Sequence, residues 1–179
     1  MKHILTIAAL ILLLASPVFG QFRIDLGVDM PITVGAISGS GITTSGEVTD
    51  FLTTYHFPFP EASFYYQFGL GPVTLSAGLR GFTFILETLF WPNVMAELQL
   101  GPFFIDAQVG GLLFLLFGVY NDAQYGELFF PDLSVWFGFG KKKNFRIGAG
   151  CLGMLLPELT TEGMLIVPYV GGKISLLIE

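Results

Sequence analysis

Nucleophilic chemistry needs a base within hydrogen-bond reach of a nucleophile, and this chain offers little of it. Of its two histidines, His3 precedes an apolar run and His56 sits between Tyr55 and Phe57, with Ser45 and Asp50 near it in sequence only. A single cysteine, Cys151, excludes an intrachain disulfide and a cysteine-built metal site. No catalytic, cofactor-binding or metal-binding residue is therefore expected. The chain reads as a non-enzyme, with a lipid hydrolase or acyltransferase as the residual alternative. What recurs at regular spacing is charge. Arg23, Asp25, Arg80, Glu97, Asp106, Asp132, Arg146 and Lys173 each stand at alternate positions within otherwise apolar stretches, and charges held in a confined space must pair, because an uncompensated buried ion is costly.

The elements that hold these charges announce themselves by period. FRIDLGVDM, from Phe22, puts Phe22, Ile24, Leu26, Val28 and Met30 on one face and Arg23, Asp25, Gly27 and Asp29 on the other. That is a strand with two unlike sides. Punctuation by Gly71-Pro72, Gly101-Pro102 and Gly140 followed by Lys141 to Asn144 divides the chain into hairpins. Eight strands are expected: 22–34, 61–70, 73–84, 93–100, 103–115, 129–139, 145–155 and 164–178. Short turns fall on one side and longer connections, 37–60, 85–92, 116–128 and 157–163, on the other.

Applied to every strand, the same parity separates an uncharged apolar face from a sparse one of ions, Gln, Ser and Gly. The apolar face includes Phe64, Leu79, Val94, Leu98, Leu133, Val135 and Ile174. Only 12% of the chain is charged and its mean hydropathy is +0.70, whereas soluble domains run about 25% charged. A barrel with its apolar face inward would need a water-facing exterior rich in Lys and Glu. It would also overfill an eight-stranded interior, which is only just wide enough for side chains. The apolar face is thus expected to meet lipid, in an all-β, eight-stranded, antiparallel up-and-down transmembrane barrel.

The N-terminus fits export. Met1-Lys2-His3, an apolar run from Ile4 to Ala15 and a Pro17 to Gly20 close read as a signal peptide over 1–20, cleaved before Gln21. The barrel domain is then 21–179. The last strand, Tyr169-Val170-Gly171-Gly172-Lys173-Ile174-Ser175-Leu176, is similar to the assembly signal of outer-membrane barrels: a polar residue, a glycine two later, then alternating apolar residues. Those barrels usually finish on an aromatic residue, where this chain ends Leu177-Ile178-Glu179. With the signal peptide and hairpins, this strand makes the mature chain resemble the small eight-stranded outer-membrane barrels, among them the outer membrane protein A transmembrane domain and the outer membrane protein W family. The resemblance implies residence in the outer membrane of a double-membraned bacterium. It also implies outer-membrane lipid and the barrel-assembly machinery as partners.

Ordering the inward residues by height divides the lumen. The lower part holds Arg23, Asp25, Arg80, Glu97, Asp106, Arg146 and Lys173, with Asp132 as a further counter-charge, and reads as a plug. Toward the longer connections come Phe82, Phe84, Leu86, Met95, Leu112, Phe114, Phe130, Leu152, Met154, Leu165 and Val167. These either pack as a core or line an apolar cavity; the resemblance to the protein W family implies passive uptake or binding of small hydrophobic molecules. A structural or surface-interaction barrel without transport is the alternative. Phe51, Leu52, Tyr55, Phe57, Phe59, Phe90 and Trp91 make the first two connections apolar, and the acidic Glu47, Asp50, Glu61, Glu87, Asp122, Glu127, Glu158 and Glu162 fall on the same side. The only basic run, Lys141 to Lys143, sits at a short turn, and nothing resembles a nucleic-acid footprint.

Overall fold

The computed structural model describes residues 20–38, 41–44, 57–84, 87–118, 121–155 and 163–178. Ten strands appear in chain order: β1 (Gln21–Pro31), β2 (Gly35–Ser38), β3 (Gly41–Thr44), β4 (Phe59–Leu70), β5 (Val73–Phe84), β6 (Glu87–Leu100), β7 (Phe103–Gly118), β8 (Asp122–Phe139), β9 (Phe145–Met154) and β10 (Gly163–Ile178). Eight of them, β1 and β4 to β10, pair antiparallel with their sequence neighbours in the wall. Pairing of β1 with β10, from Phe22↔Ile178 to Pro31↔Tyr169, closes the barrel. No edge strand is left in the described wall, so neighbouring strands pair along most of their length, as a bilayer demands of a spanning sheet.

The two extra strands continue the line of β1. Residues 32–34 interrupt pairing, although Ile32 N–H still donates to the Pro168 carbonyl at 2.9 Å. β2 then resumes against the upper end of β10 (Ser38↔Gly163) and β3 folds back on β2. At the opposite end, Leu70↔Val73 and Leu100↔Phe103 close two-residue turns. Gly71 (φ 67°) and Gly101 (φ 62°) take the left-handed first position of each, and the proline after each has its φ fixed negative. That combination suits a II′ hairpin.

Three strand starts fall two or more residues before the sequence expectation. β4 begins at Phe59, two residues before the expected start at 61, and Glu61, grouped from sequence with the acidic residues of the longer connections, is buried in the wall. β6 begins at Glu87, so Phe90 and Trp91 are strand residues, and the connection after β5 is 85–86 only. β8 begins at Asp122, leaving 119–121 in place of 116–128. Two of the four long connections are therefore short. Hairpin pairing simply continues there (Phe84↔Glu87, Leu116↔Asp122), interrupted by register shifts between Phe90 and Asn93 and between Gly111 and Leu113. Length asymmetry between the two ends survives in 45–58 and 156–162.

Parity holds along most of the wall. Phe22, Val94, Leu133 and Ile147 are exposed, while Arg23, Asp106 and Ser134 are buried. Apolar groups form the outer surface and polar ones the interior, the reverse of a water-soluble barrel. Leu112 departs from it. Expected inside, it lies at the register break with φ 68° and is 77% exposed. The left-handed backbone between Gly111 and Leu113 turns its side chain outward and out of the apolar lumen.

Candidate functional site

Inward side chains from all eight wall strands fill the lumen in layers. Nearest the short turns is a charge network. Arg23 on β1 donates Nε and Nη2 to the two oxygens of Asp25 (2.7 and 2.8 Å) and Nη1 to Glu97 Oε2 on β6 (2.8 Å). Arg146 on β9 binds the same Glu97 oxygen, its guanidinium 3.6 Å from the Phe104 ring centre. Lys173 on β10 donates to Asp106 on β7 at 2.7 Å, lies 3.9 Å from Asp25 Oδ2 and sits over Trp136. Three cations thus meet three carboxylates. β1 and β6, like β7 and β10, are three strands apart around the wall, so these bonds cross the lumen.

Above this network lie neutral and aromatic groups. Asn93 Nδ2 donates to Tyr65 Oη and Gln108 Oε1, both at 2.8 Å, and Trp136 Nε1–H donates to Ser134 Oγ at 2.8 Å. A second charge network follows, built on Arg80 of β5. Its Nε and Nη2 reach the two oxygens of Glu61 at 3.2 Å each, and Nη1 binds Asp132 on β8, again three strands away. Tyr169 Oη donates to Asp132 at 2.9 Å and Ser63 Oγ donates to Glu61 at 3.0 Å.

Toward the other rim, Phe82 stacks on Trp91 with ring centres 5.5 Å apart, and Trp91 meets Phe130 at 4.8 Å. Phe59, Leu89, Leu116, Leu152 and Met154 pack against them. Gly110 makes room, since a Cβ there would fall 2.3 Å from Trp91 Cδ1. At the short-turn end the lumen opens into a polar vestibule of about 220 Å³, lined by Arg23, Glu97, Lys142, Asn144 and Arg146 among others.

All eight charged residues singled out from sequence are buried, but they form two assemblies rather than one. Arg80 belongs with Glu61 and Asp132, away from the lower group. Of the apolar set, Phe82, Met95, Phe130 and Val167 are buried, and Leu152 and Met154 pack beside the aromatic cluster. Leu112 faces out. The side chains of Phe84 and Phe114 lie outside the described residues, as do Leu86 and His56. Cys151 pairs with the outward Leu133. Sequence reasoning missed Glu61 by grouping it with the acidic residues of the longer connections and Trp91 through a strand start set too late; it also missed Tyr65, Asn93 and Trp136, which the parity of Ser63, Met95 and Ser134 would have placed inside.

No protein-family model and no curated protein matches this chain. Among solved structures it is similar to Neisserial surface protein A (NspA) at TM-score 0.47 and 10% identity, over 86% of this chain and 96% of that one. The N-terminal β-barrel domain of Pseudomonas aeruginosa OprF gives TM-score 0.47 and 11% identity, over 88% and 99%. The barrel assignment itself rests on the closed pairing of this chain's own strands.

Proposed function

We propose that this chain is an integral outer-membrane barrel with a sealed lumen, acting as a membrane-anchored scaffold that presents its longer connections at the surface. The observation that carries this reading is the filled interior: two cross-lumen ion networks, separated by neutral and aromatic side chains and topped by Phe82, Trp91 and Phe130. The exposed apolar wall supports lipid as the surrounding solvent. Export through a signal peptide over 1–20 and insertion by the barrel-assembly machinery through the last strand belong to the same proposal. So does a non-enzymatic role.

A finer reading is favoured by the apolar cluster at the rim. Uptake or binding of a small hydrophobic molecule would take place between Phe82, Trp91, Phe130 and Met154, and would require those rings to part. Planar-bilayer recording together with a dye-binding titration separates the readings. The sealed scaffold gives no ion-conducting steps and binds no apolar dye. Displaceable dye binding without conductance supports the rim cavity instead, and stable conductance in the unmodified protein contradicts the sealed lumen.

A further inference from the structure

The lumen's charges do not cancel, and the imbalance has a definite place. The lower network sets Arg23, Arg146 and Lys173 against Asp25, Glu97 and Asp106 and is neutral. The upper one sets Arg80 alone against Glu61, Asp132 and the nearby Asp29, all buried. Asp29 is the odd member. Register places it two residues from Glu61 on the inner face of the adjoining strand (Asp29↔Phe59, Gly27↔Glu61), a diagonal neighbour. Both carboxyl groups are buried on that inner face, and Asp29 Oδ2 has no hydrogen-bond partner among the described residues.

Two ionised carboxylates are both acceptors and cannot hydrogen-bond to each other. Like charges sharing a buried site do not both ionise. We infer that Asp29 and Glu61 form a proton-binding site, with one proton held between the two carboxyl groups of the folded barrel. Asp29 donates it and Glu61 accepts it, since Glu61 alone of the two is held by Arg80 and Ser63. Space for Asp29 comes from Gly171 on β10, where a Cβ would fall 2.1 Å from Asp29 Oδ1. The groups facing the pair from packed elements are Ser63 on β4, Arg80 on β5, Asp132 on β8, and Tyr169 and Lys173 on β10. Arg80 is already committed to Glu61 and Asp132, and Lys173 to Asp106 and Asp25. A proton is the cation that fits, because it needs neither a ligand shell nor a passage through the packed lumen.

Folding then takes up a proton that the unfolded carboxyl would not hold above its ordinary range, so stability falls as pH rises until the folded barrel also loses it. Asp29→Asn keeps a donor to Glu61 without the titration. Above about pH 6, the unfolding equilibrium constant of the unmodified protein, relative to D29N, should rise by up to about tenfold per pH unit until the folded barrel releases the proton. Parallel curves would overturn the site. So would recovery of alkaline stability in sodium chloride but not in choline chloride at equal ionic strength, which would make the occupant a metal cation. An infrared band of a protonated carboxyl at neutral pH, present in the unmodified barrel and lost in D29N, is the expected signature. If D29N does not fold, absence of that band from the unmodified protein overturns the inference by itself.

Discussion

Glu97 ties the lower half of the lumen together through one carboxylate. Arg23 and Arg146 arrive from strands on either side, and both bind its Oε2. Two guanidiniums on one carboxylate leave no alternative acceptor of equal strength, because Asp25 is already bidentate to Arg23 and Asp106 is held by Lys173. Glu97→Gln should therefore cost about 3–5 kcal/mol, the penalty for stripping a buried ion of its partner. Lys141→Ala at the exposed turn should stay within about 0.5 kcal/mol. Urea titration of the refolded barrel in detergent measures both; equal effects would mean that the lower network carries no stability. Arg146 adds a second attachment through its stacking on Phe104, which a charge-only account would omit.

Strand parity sets the environment of each side chain, and it can be tested on one element. β8 alternates Asp132, Ser134 and Trp136 inside with Leu133, Val135 and Phe137 outside. Leu133 is 60% exposed. Leu133→Arg should cost about 2–4 kcal/mol if that face lies in hydrocarbon near the midplane, and little if it faces water; refolding titrations into liposomes decide. The same alternation is why the barrel was legible in the sequence. A period of two survives any error in strand ends, so Arg23, Asp25, Glu97 and Lys173 were placed inside from the pattern alone. What parity does not carry is where a hairpin stops. β6 and β8 begin well before the expected starts at 93 and 129, because pairing with β5 and β7 holds those segments extended. Nor does it carry the stagger that brings residues to the same height across the lumen. Arg80 looked like a lower-lumen cation by its place along β5, yet its partners are Glu61 and Asp132. Leu112 failed for a third reason: a register break with positive φ resets the facing of one residue without changing its neighbours.

At the scale of the molecule, the barrel is polar inside and apolar outside, with charge unevenly shared between its ends. Lys141, Lys142 and Lys143 flank the vestibule end, whereas the sequences of the connections 45–58 and 156–162 carry Glu47, Asp50, Glu158 and Glu162 and no Lys or Arg. Cross-lumen ion pairs join strands three apart, so the wall is braced across its diameter as well as along its hydrogen-bond ladder. Every functional reading offered for the chain depends on this inside-out arrangement in a bilayer. Nitroxide labels placed one at a time at positions 94, 95, 96, 133, 134 and 135, in a Cys151→Ser background reconstituted in liposomes, test it directly. Oxygen, which partitions into lipid, should reach labels at 94, 96, 133 and 135 and should be excluded from those at 95 and 134, giving a period of two on both strands. Labels at 95 and 134 that respond to oxygen while their neighbours respond only to a water-soluble relaxation agent would contradict it.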